Sequence, residues 1–362
     1  MTEISKEPAA YQFAVRSIPE ITFVGYEKSG YASRGCRAHT EDGEYFVLQG
    51  PPDIYKAQRV GLHLPHSPVI HGVYGESPTH TIMDAVPITS RPLLDVLKTV
   101  GLHTIQTEST KDGAQTVSDD HLHALYSHII SSLAELHISP CGDVFSHVDK
   151  RDIQKKDVVR LREEAMNNIV TDSQRLDGIA AIALRDENSI PTRQGYNALR
   201  RVMIRLGEQE SQYTQRLSVV HGDAWAANIF VPKNDEIKPV HFIDPAILFS
   251  DPALDVVFSL FDIAAIYGHS GSLEQEKYLK MADELVDVYI QKTRDGEIRK
   301  HMALFYGYKS FVSAVFDIQD PERKQDVFHA GLGAVIQALQ TGGDFHFSQF
   351  NEYKKAGEHY QE

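Results

Sequence analysis

Between His221 and Asp244 the chain reads HGDAWAANIFVPKNDEIKPVHFID. Asp223 stands two residues after a histidine, Asn228 five after Asp223, and Asp244 sixteen after Asn228. Two carboxylates and an amide in this order can carry phosphoryl transfer. One carboxylate orients a hydroxyl and takes its proton, while an amide oxygen and a second carboxylate hold Mg²⁺ on the phosphates of ATP. On this reading Asp223 is the base or orienter, and Asn228 and Asp244 are the metal ligands, hard oxygen donors suited to Mg²⁺. His221 is assigned to packing and hydrogen bonding beneath the loop, not to moving protons. Any one of these residues alone reads as an ordinary turn, loop or strand-end residue. Their joint spacing between apolar pairs carries the chemistry.

The flanking sequence indicates what positions them. Val219-Val220 before the motif and Ile229-Phe230-Val231 after it read as two short strands holding Asp223 to Asn228 at their mouth. VHFID (240–244) reads as a third, with Asp244 at its C-terminal end. Nearer the N-terminus, ITFVGYE (21–27), EYFVLQ (44–49), SPVIHGVYG (67–75) and THTIMDAV (79–86) are β-branched and aromatic runs, with a turn signal at Glu41-Asp42-Gly43. A short helix is expected over 54–64. Beyond a polar stretch at 103–118 the chain turns helical. Ser118 is the expected N-cap, and Leu122, Leu125, Ile129, Leu133 and Leu136 recur three or four apart. Leu199, Val202, Met203 and Leu206 mark another helix. Further helices fit 252–267, closed by Gly268, and 272–294, 297–317 and 322–340. The fold class is therefore α+β, a β-rich first third followed by a helical remainder that holds the motif.

Composition excludes several function classes. A chain of 362 residues is long for one core and implies two lobes. A formal net charge of −14 argues against nucleic acid as a partner, whose binders carry basic surfaces, and is compatible with a cationic small substrate. Cys36 and Cys141 form neither a metal spacing nor a disulfide framework, so a reducing, cytoplasmic setting is expected. The N-terminal MTEISKEPAAYQF lacks a signal-peptide layout. The most apolar helical stretch, Leu254 to Tyr267, is short and carries Asp255 and Asp262, so no membrane span is expected. The eighteen histidines show no metal-binding helical spacing and read as scattered surface residues. The acidic stretch ADELVDVY (282–289) reads as a solvated helix face.

His-x-Asp-x-x-x-x-Asn followed by Ile-Asp resembles the aminoglycoside phosphotransferase and choline kinase branch of the protein-kinase-like fold. Within it, HGDAW, Asn228 and IDPA (243–246) are most similar to the fructosamine (ketosamine) kinase pattern, on the strength of Trp225 and Pro245-Ala246. The likeness extends through DPALDVV (251–257), SLAELH (132–137) and IMDAVP (82–87). It implies an antiparallel-sheet nucleotide-binding lobe over 1–87, ending in a hinge, and a larger helical lobe over 88–362 with the catalytic loop and substrate site. It further implies that Asp255 braces the catalytic loop, and that Met83 is the gatekeeper beside the adenine. Asp84 C=O and Val86 N–H would bond the base, and Ser29, Gly30 and Ser33 would lie over the phosphates. Trp225 would stand close to the acceptor hydroxyl.

The chain departs from this pattern at one place. The lysine that grips the α- and β-phosphates in a kinase-like fold is paired with a glutamate on the next helix. Its expected position here is Gln49, and DIYKAQRVGLHL (53–64) holds no glutamate. Gln49 and Gln58 could form a neutral replacement, or Arg34, Arg37, Lys56 or Arg59 could supply the charge. The function expected is Mg²⁺- and ATP-dependent phosphorylation of a hydroxyl on a sugar, amino sugar, aminoglycoside or ketosamine, by a monomer or homodimer. The alternative is a pseudokinase that binds nucleotide or scaffolds a partner without turnover.

Overall fold

The computed structural model of the chain describes residues 22–27, 34–40, 43–50, 66, 70–74, 79–87, 89–99, 118–139, 173–183, 193–211, 218–234, 236–243, 248–267, 273–318 and 320–360. The helix expected over 54–64, Gly268 and the Glu41-Asp42 turn lie outside them.

Near the N-terminus lie five strands, β1 (Thr22–Glu27), β2 (Arg34–Thr40), β3 (Gly43–Gly50), β4 (Ile70–Tyr74) and β5 (Thr79–Asp84). They form one antiparallel sheet in the order β1-β2-β3-β5-β4. Its central strand, β3, is the one that carries Gln49. In register Gln49 lies opposite Arg34 on β2 and His80 on β5, while Met83 and Asp84 lie opposite Phe46 and Tyr45.

The rest of the described residues are mainly helical. α1 (Leu93–Thr99) follows β6 (Ser90–Pro92) directly. α2 (Asp119–Ile138) starts as its sequence indicates: Ser118 accepts the His121 N–H at 3.2 Å, and Asp119 and Asp120 place negative charge at the positive end of the helix dipole. Leu122, Leu125, Ile129, Leu133 and Leu136 are all buried, as their spacing predicts. α3 (Ser173–Ala183) and α4 (Arg193–Ser211) follow, with Leu199, Val202, Met203 and Leu206 of α4 inside the core. Four helices complete the core: α5 (Ala253–Tyr267), α6 (Leu273–Thr293), α7 (Ile298–Phe316) and α8 (Pro321–Thr341). α8 covers the helix expected over 322–340 and is capped at both ends, with Asp320 accepting the Arg323 N–H, Pro321 in the first turn, and Gly342 at φ +62° ending it. α9 (Phe350–Glu358) packs back on α8.

α5 is the centre of this helical body. From Ala253 to Ala264 only Asp262 is not classed as buried, and the helix packs on both α6 and α7. A helix enclosed on all sides has no solvated face for charge, so a carboxylate on it needs a specific partner. The acidic stretch on α6 is solvated at Glu284 and Asp287, as expected, and departs from that at Asp283. Asp283 holds Arg299 and accepts the N–H groups of Phe347 and Ser348, and Asp287 takes the second guanidinium nitrogen of Arg299. These carboxylates pin the C-terminal segment to the helical body. No described helix is long and apolar enough to cross a membrane.

Candidate active site

The motif runs between β7 (Ser218–Val220) and β8 (Ile229–Pro232). The two short strands expected on either side of the loop are present, but they do not pair with each other. They belong to different sheets: β7 pairs with β10 (Leu248–Ser250), and β8 lies between β6 and β9 (His241–Phe242). β8 is taken on both sides, which leaves β7 to find its partner beyond β9. The loop therefore bridges two small sheets, and its geometry must be fixed by other contacts.

Those contacts converge on Asp255, in the first turn of α5 and fully buried. Its Oδ2 accepts the His221 N–H at 2.6 Å and its Oδ1 the Gly222 N–H at 2.8 Å. Two successive backbone N–H groups can reach one carboxylate because Gly222 sits at φ +83°, a conformation that costs glycine nothing and other residues about 1–2 kcal/mol. The same Oδ2 also meets His137 Nε2 at 3.0 Å, and His137 Nδ1 meets the Tyr289 hydroxyl at 2.8 Å. The end of α2 is fixed in turn, because Ser218 donates to the His137 carbonyl at 2.6 Å. Burial alone would raise the Asp255 pKa. Hydrogen bonding and charge from His137, with the Gly222 N–H, outweigh burial and hold it below the usual carboxylate value.

His221 is buried and reads as structural. Its Nδ1 accepts the Asp223 N–H at 3.3 Å, so the ring proton is on Nε2, which donates to the Ile243 carbonyl at 3.1 Å. Burial lowers the His221 pKa, with the Asp255 charge opposing, and this favours the neutral ring that the two bonds require. Beyond His221 the chain closes a tight turn. Trp225 N–H bonds the Asp223 carbonyl, and Asn228 N–H bonds the Trp225 carbonyl, forming a 3₁₀ turn over Ala226–Asn228.

That turn brings Asn228 back onto Asp223. Asn228 Nδ2 donates to the Asp223 carbonyl at 3.0 Å and to its Oδ2 at 2.8 Å. With the amide nitrogen committed to Asp223, the amide oxygen is the remaining side-chain acceptor of Asn228. The Ile243 N–H donates to the Asn228 carbonyl at 2.9 Å, one step beyond the β8–β9 pairs, so the residue preceding Asp244 is tied to Asn228. A hard amide oxygen beside an oriented carboxylate fits the oxygen chemistry of Mg²⁺.

The structure thus brings together Asp223, Asn228, His221, Asp255 and Trp225. Asp244 lies outside the described residues, as do Ser29, Gly30 and Ser33. Gln49, Met83 and Asp84 are described by backbone register only, and Val86, half-buried, lies in the segment after β5. Four residues of the loop's support were not read from the sequence, namely Gly222, His137, Tyr289 and Asp262. Asp262 lies two turns along α5 from Asp255, and its Oδ2 accepts the Ala226 N–H at 3.2 Å. Gly222 had a sequence signal, a glycine between two polar residues of a loop. His137 lies in SLAELH, but its pairing with Asp255 is not written in local sequence.

No protein-family model and no curated protein matches the chain. Solved structures do. A putative aminoglycoside phosphotransferase from Ralstonia eutropha superposes with a TM-score of 0.50 at 13% identity, over 92% of this chain and 97% of that one. An ethanolamine kinase from Plasmodium vivax gives 0.48 at 10% identity, over 91% of this chain and 85% of that one. An aminoglycoside phosphotransferase from Streptomyces rimosus, solved with ADP and streptomycin, gives 0.45 at 14% identity, over 90% and 97%. The narrower likeness to fructosamine kinases rests on sequence motifs alone. At such identity the likeness is one of fold: the chain has the two-lobed, protein-kinase-like fold seen in the aminoglycoside phosphotransferases.

Proposed function

We propose that the chain transfers a phosphoryl group from Mg²⁺-bound ATP to a hydroxyl of a small molecule, a sugar, amino sugar, aminoglycoside or ketosamine. The observation that carries this reading is the loop itself, in which Asn228 orients the Asp223 carboxylate while Asp255 holds the two N–H groups before it. A fixed carboxylate is what in-line transfer asks of a protein, because little covalent chemistry falls to the side chains. Asp223 would accept a hydrogen bond from the acceptor hydroxyl through its carboxylate, aim the oxygen, and receive the proton as transfer proceeds. Asn228 and Asp244 would hold Mg²⁺, which when bound neutralises charge on the phosphates. Asp255 and His221 would keep the Asp223 backbone from following its side chain toward the substrate. Adenine would bond the backbone of Asp84 and Val86 beside Met83, with Ser29, Gly30 and Ser33 over the phosphates. The lobe boundary proposed is residue 87.

The second reading, a nucleotide-binding pseudokinase, is favoured by Gln49 standing where the phosphate-gripping lysine is expected. Thermal shift with and without Mg·ATP tests nucleotide binding. ATP consumption across a panel of amino sugars, aminoglycosides and ketosamines then separates enzyme from sensor. Asp223→Asn should abolish turnover and leave the Mg·ATP thermal shift intact. Turnover retained by that variant would remove Asp223 from the mechanism.

A further inference from the structure

Beside the loop a lysine is enclosed by aromatic rings. Lys309 on α7 is 5% exposed. Its Nζ lies 5.1 Å from the centre of the Trp225 ring, 5.3 Å from Phe258 and 5.8 Å from Phe261. Asp317 approaches it at 3.5 Å. Phe258 and Phe261 lie on α5, as does Asp262, whose carboxylate holds the Ala226 N–H. Asp262 retains some residue surface, but its carboxylate is surrounded by protein; burial pushes its pKa up, and Lys309 and Arg323 are the cations that oppose that shift.

Three aromatic rings and the Asp317 carboxylate around one ammonium form a box of the kind that binds alkylammonium ligands, and the ammonium's charge is also felt by Asp262. Here the chain's own lysine fills it, so the box serves as a clamp. We infer that Lys309 and Asp262 are positioning residues forming a second anchor of the catalytic loop, which holds Trp225 by its ring and Ala226 by its N–H and so sets where Asp223 and Asn228 meet the acceptor. The inference rests on the reading of Asp223–Asn228 as the catalytic loop. Spacing on α5 supports it. Asp255 and Asp262 are seven residues apart, two turns on one face, and they grip the loop at His221-Gly222 and at Ala226, on either side of Asp223. Without the second grip, the Trp225 ring and the Ala226 N–H would lose their side-chain anchors, while Asn228 would keep its bond from the Ile243 N–H.

Lys309→Met keeps the length and apolar contact of the side chain and removes its charge. Trp225 is the only tryptophan of the chain, so intrinsic fluorescence reports on this turn directly. Lys309→Met should shift Trp225 emission and increase its quenching by acrylamide. It should lower kcat for the acceptor on the order of tenfold to a hundredfold, the scale of a small misplacement of reacting groups, with a much smaller change in the Kd for Mg·ATP. Lys309→Arg, which keeps a cation over the ring, should restore emission and most of kcat. The double variant Asp262→Asn/Lys309→Met should lose no more kcat than Lys309→Met alone, because both act on one turn. Should Lys309→Met fail to fold, the double variant, which also removes the buried anion that Lys309 opposes, and Lys309→Arg supply the same readouts. Unchanged emission and kcat in Lys309→Met would overturn the inference. So would a loss of kcat accompanied by an equal loss of Mg·ATP affinity, which marks a general structural role. The fluorescence arm needs no turnover: a wild-type chain without kinase activity whose emission still responds to Lys309→Met and recovers in Lys309→Arg keeps the clamp and discards the phosphotransfer reading.

Discussion

Asp255 and Asp262 lie on one helix, each accepts backbone N–H groups from the same loop, and their pKa values move in opposite directions. This gives a sharp prediction for Asp255→Asn. The carboxylate takes Gly222 N–H on one oxygen and both His221 N–H and His137 Nε2 on the other. An asparagine offers one oxygen. Placed toward His221 and His137, it turns its NH₂ against the Gly222 N–H and leaves a buried donor without a partner, a loss of about 1–3 kcal/mol. The two bonds that remain change from charge-assisted to neutral, at about 1 kcal/mol each. The sum is about 3–5 kcal/mol, a large part of the roughly 5–15 kcal/mol that holds a domain folded. Relief from burying a charge does not offset this, because the lowered pKa shows that the site prefers the carboxylate to its neutral form. For Asp262 burial dominates and the pKa is raised. Asp262→Asn keeps an oxygen for the Ala226 N–H and should cost under about 1 kcal/mol. Urea midpoints followed by circular dichroism at pH 7 measure both. The sign with pH also follows. A carboxylate with a lowered folded pKa contributes stability above its unfolded pKa, about 3.9, and loses it as pH falls through the folded value. The Asp255→Asn deficit should therefore hold at every pH above about 4 and shrink only below it. An Asp255→Asn midpoint equal to wild type, or an Asp262→Asn deficit larger than the Asp255→Asn one, would refute the reasoning.

Three further outcomes are expected. Stability should decline as pH falls below about 6.5, the unfolded histidine value, because burial lowers the pKa of His221, His128, His241 and His329 and the unfolded chain then binds more protons. His221→Asn should flatten part of that slope in urea titrations between pH 5 and 7. Gly222→Ala places a side chain at φ +83° and should lower stability by about 1–2 kcal/mol, with a loss of turnover that exceeds the loss of folded protein. Tyr289→Phe removes the hydroxyl that meets His137 Nδ1 and should lower the urea midpoint by the equivalent of about 1 kcal/mol, without altering Mg·ATP affinity.

Where stability is local, the sequence is readable. Ser118 with its leucine spacing, and Asp320-Pro321 with Gly342, write helix starts and stops in neighbouring residues, and α2 and α8 follow them. Three described helices carry no such signal. α1 is seven residues long, too short for an apolar period to repeat. α3 has Gly178 in its interior. α9 is mostly polar and depends on close backbone approach: a Cβ on Gly333 would clash with the Tyr353 carbonyl oxygen, and one on Gly357 with that of His329. Those glycines mark the crossing of α8 and α9, a tertiary contact that the pattern of neither helix displays.

The candidate site divides in the same way. Asp223 and Asn228 are legible because the turn that joins them is local: five residues, two backbone bonds and one amide suffice. Their supports are remote. His137 and Asp255 are 118 residues apart, and Lys309 reaches Trp225 from a helix that begins seventy residues past Asn228. Resemblance named Asp255 because other chains place an acid there, but only the fold shows what it grips. A short motif can encode the groups that act on a substrate, since they must be near one another. Holding those groups still requires charges buried deep in the helical body, and a buried carboxylate is tolerable only where distant elements bring it donors. α5 meets that requirement twice, with His137 and two loop N–H groups at Asp255, and with the Ala226 N–H and the neighbouring Lys309 at Asp262. The loop is thereby bound to the most enclosed helix of the described residues, and a change that loosens α5 against α2 or α7 should reach Asp223 without touching it.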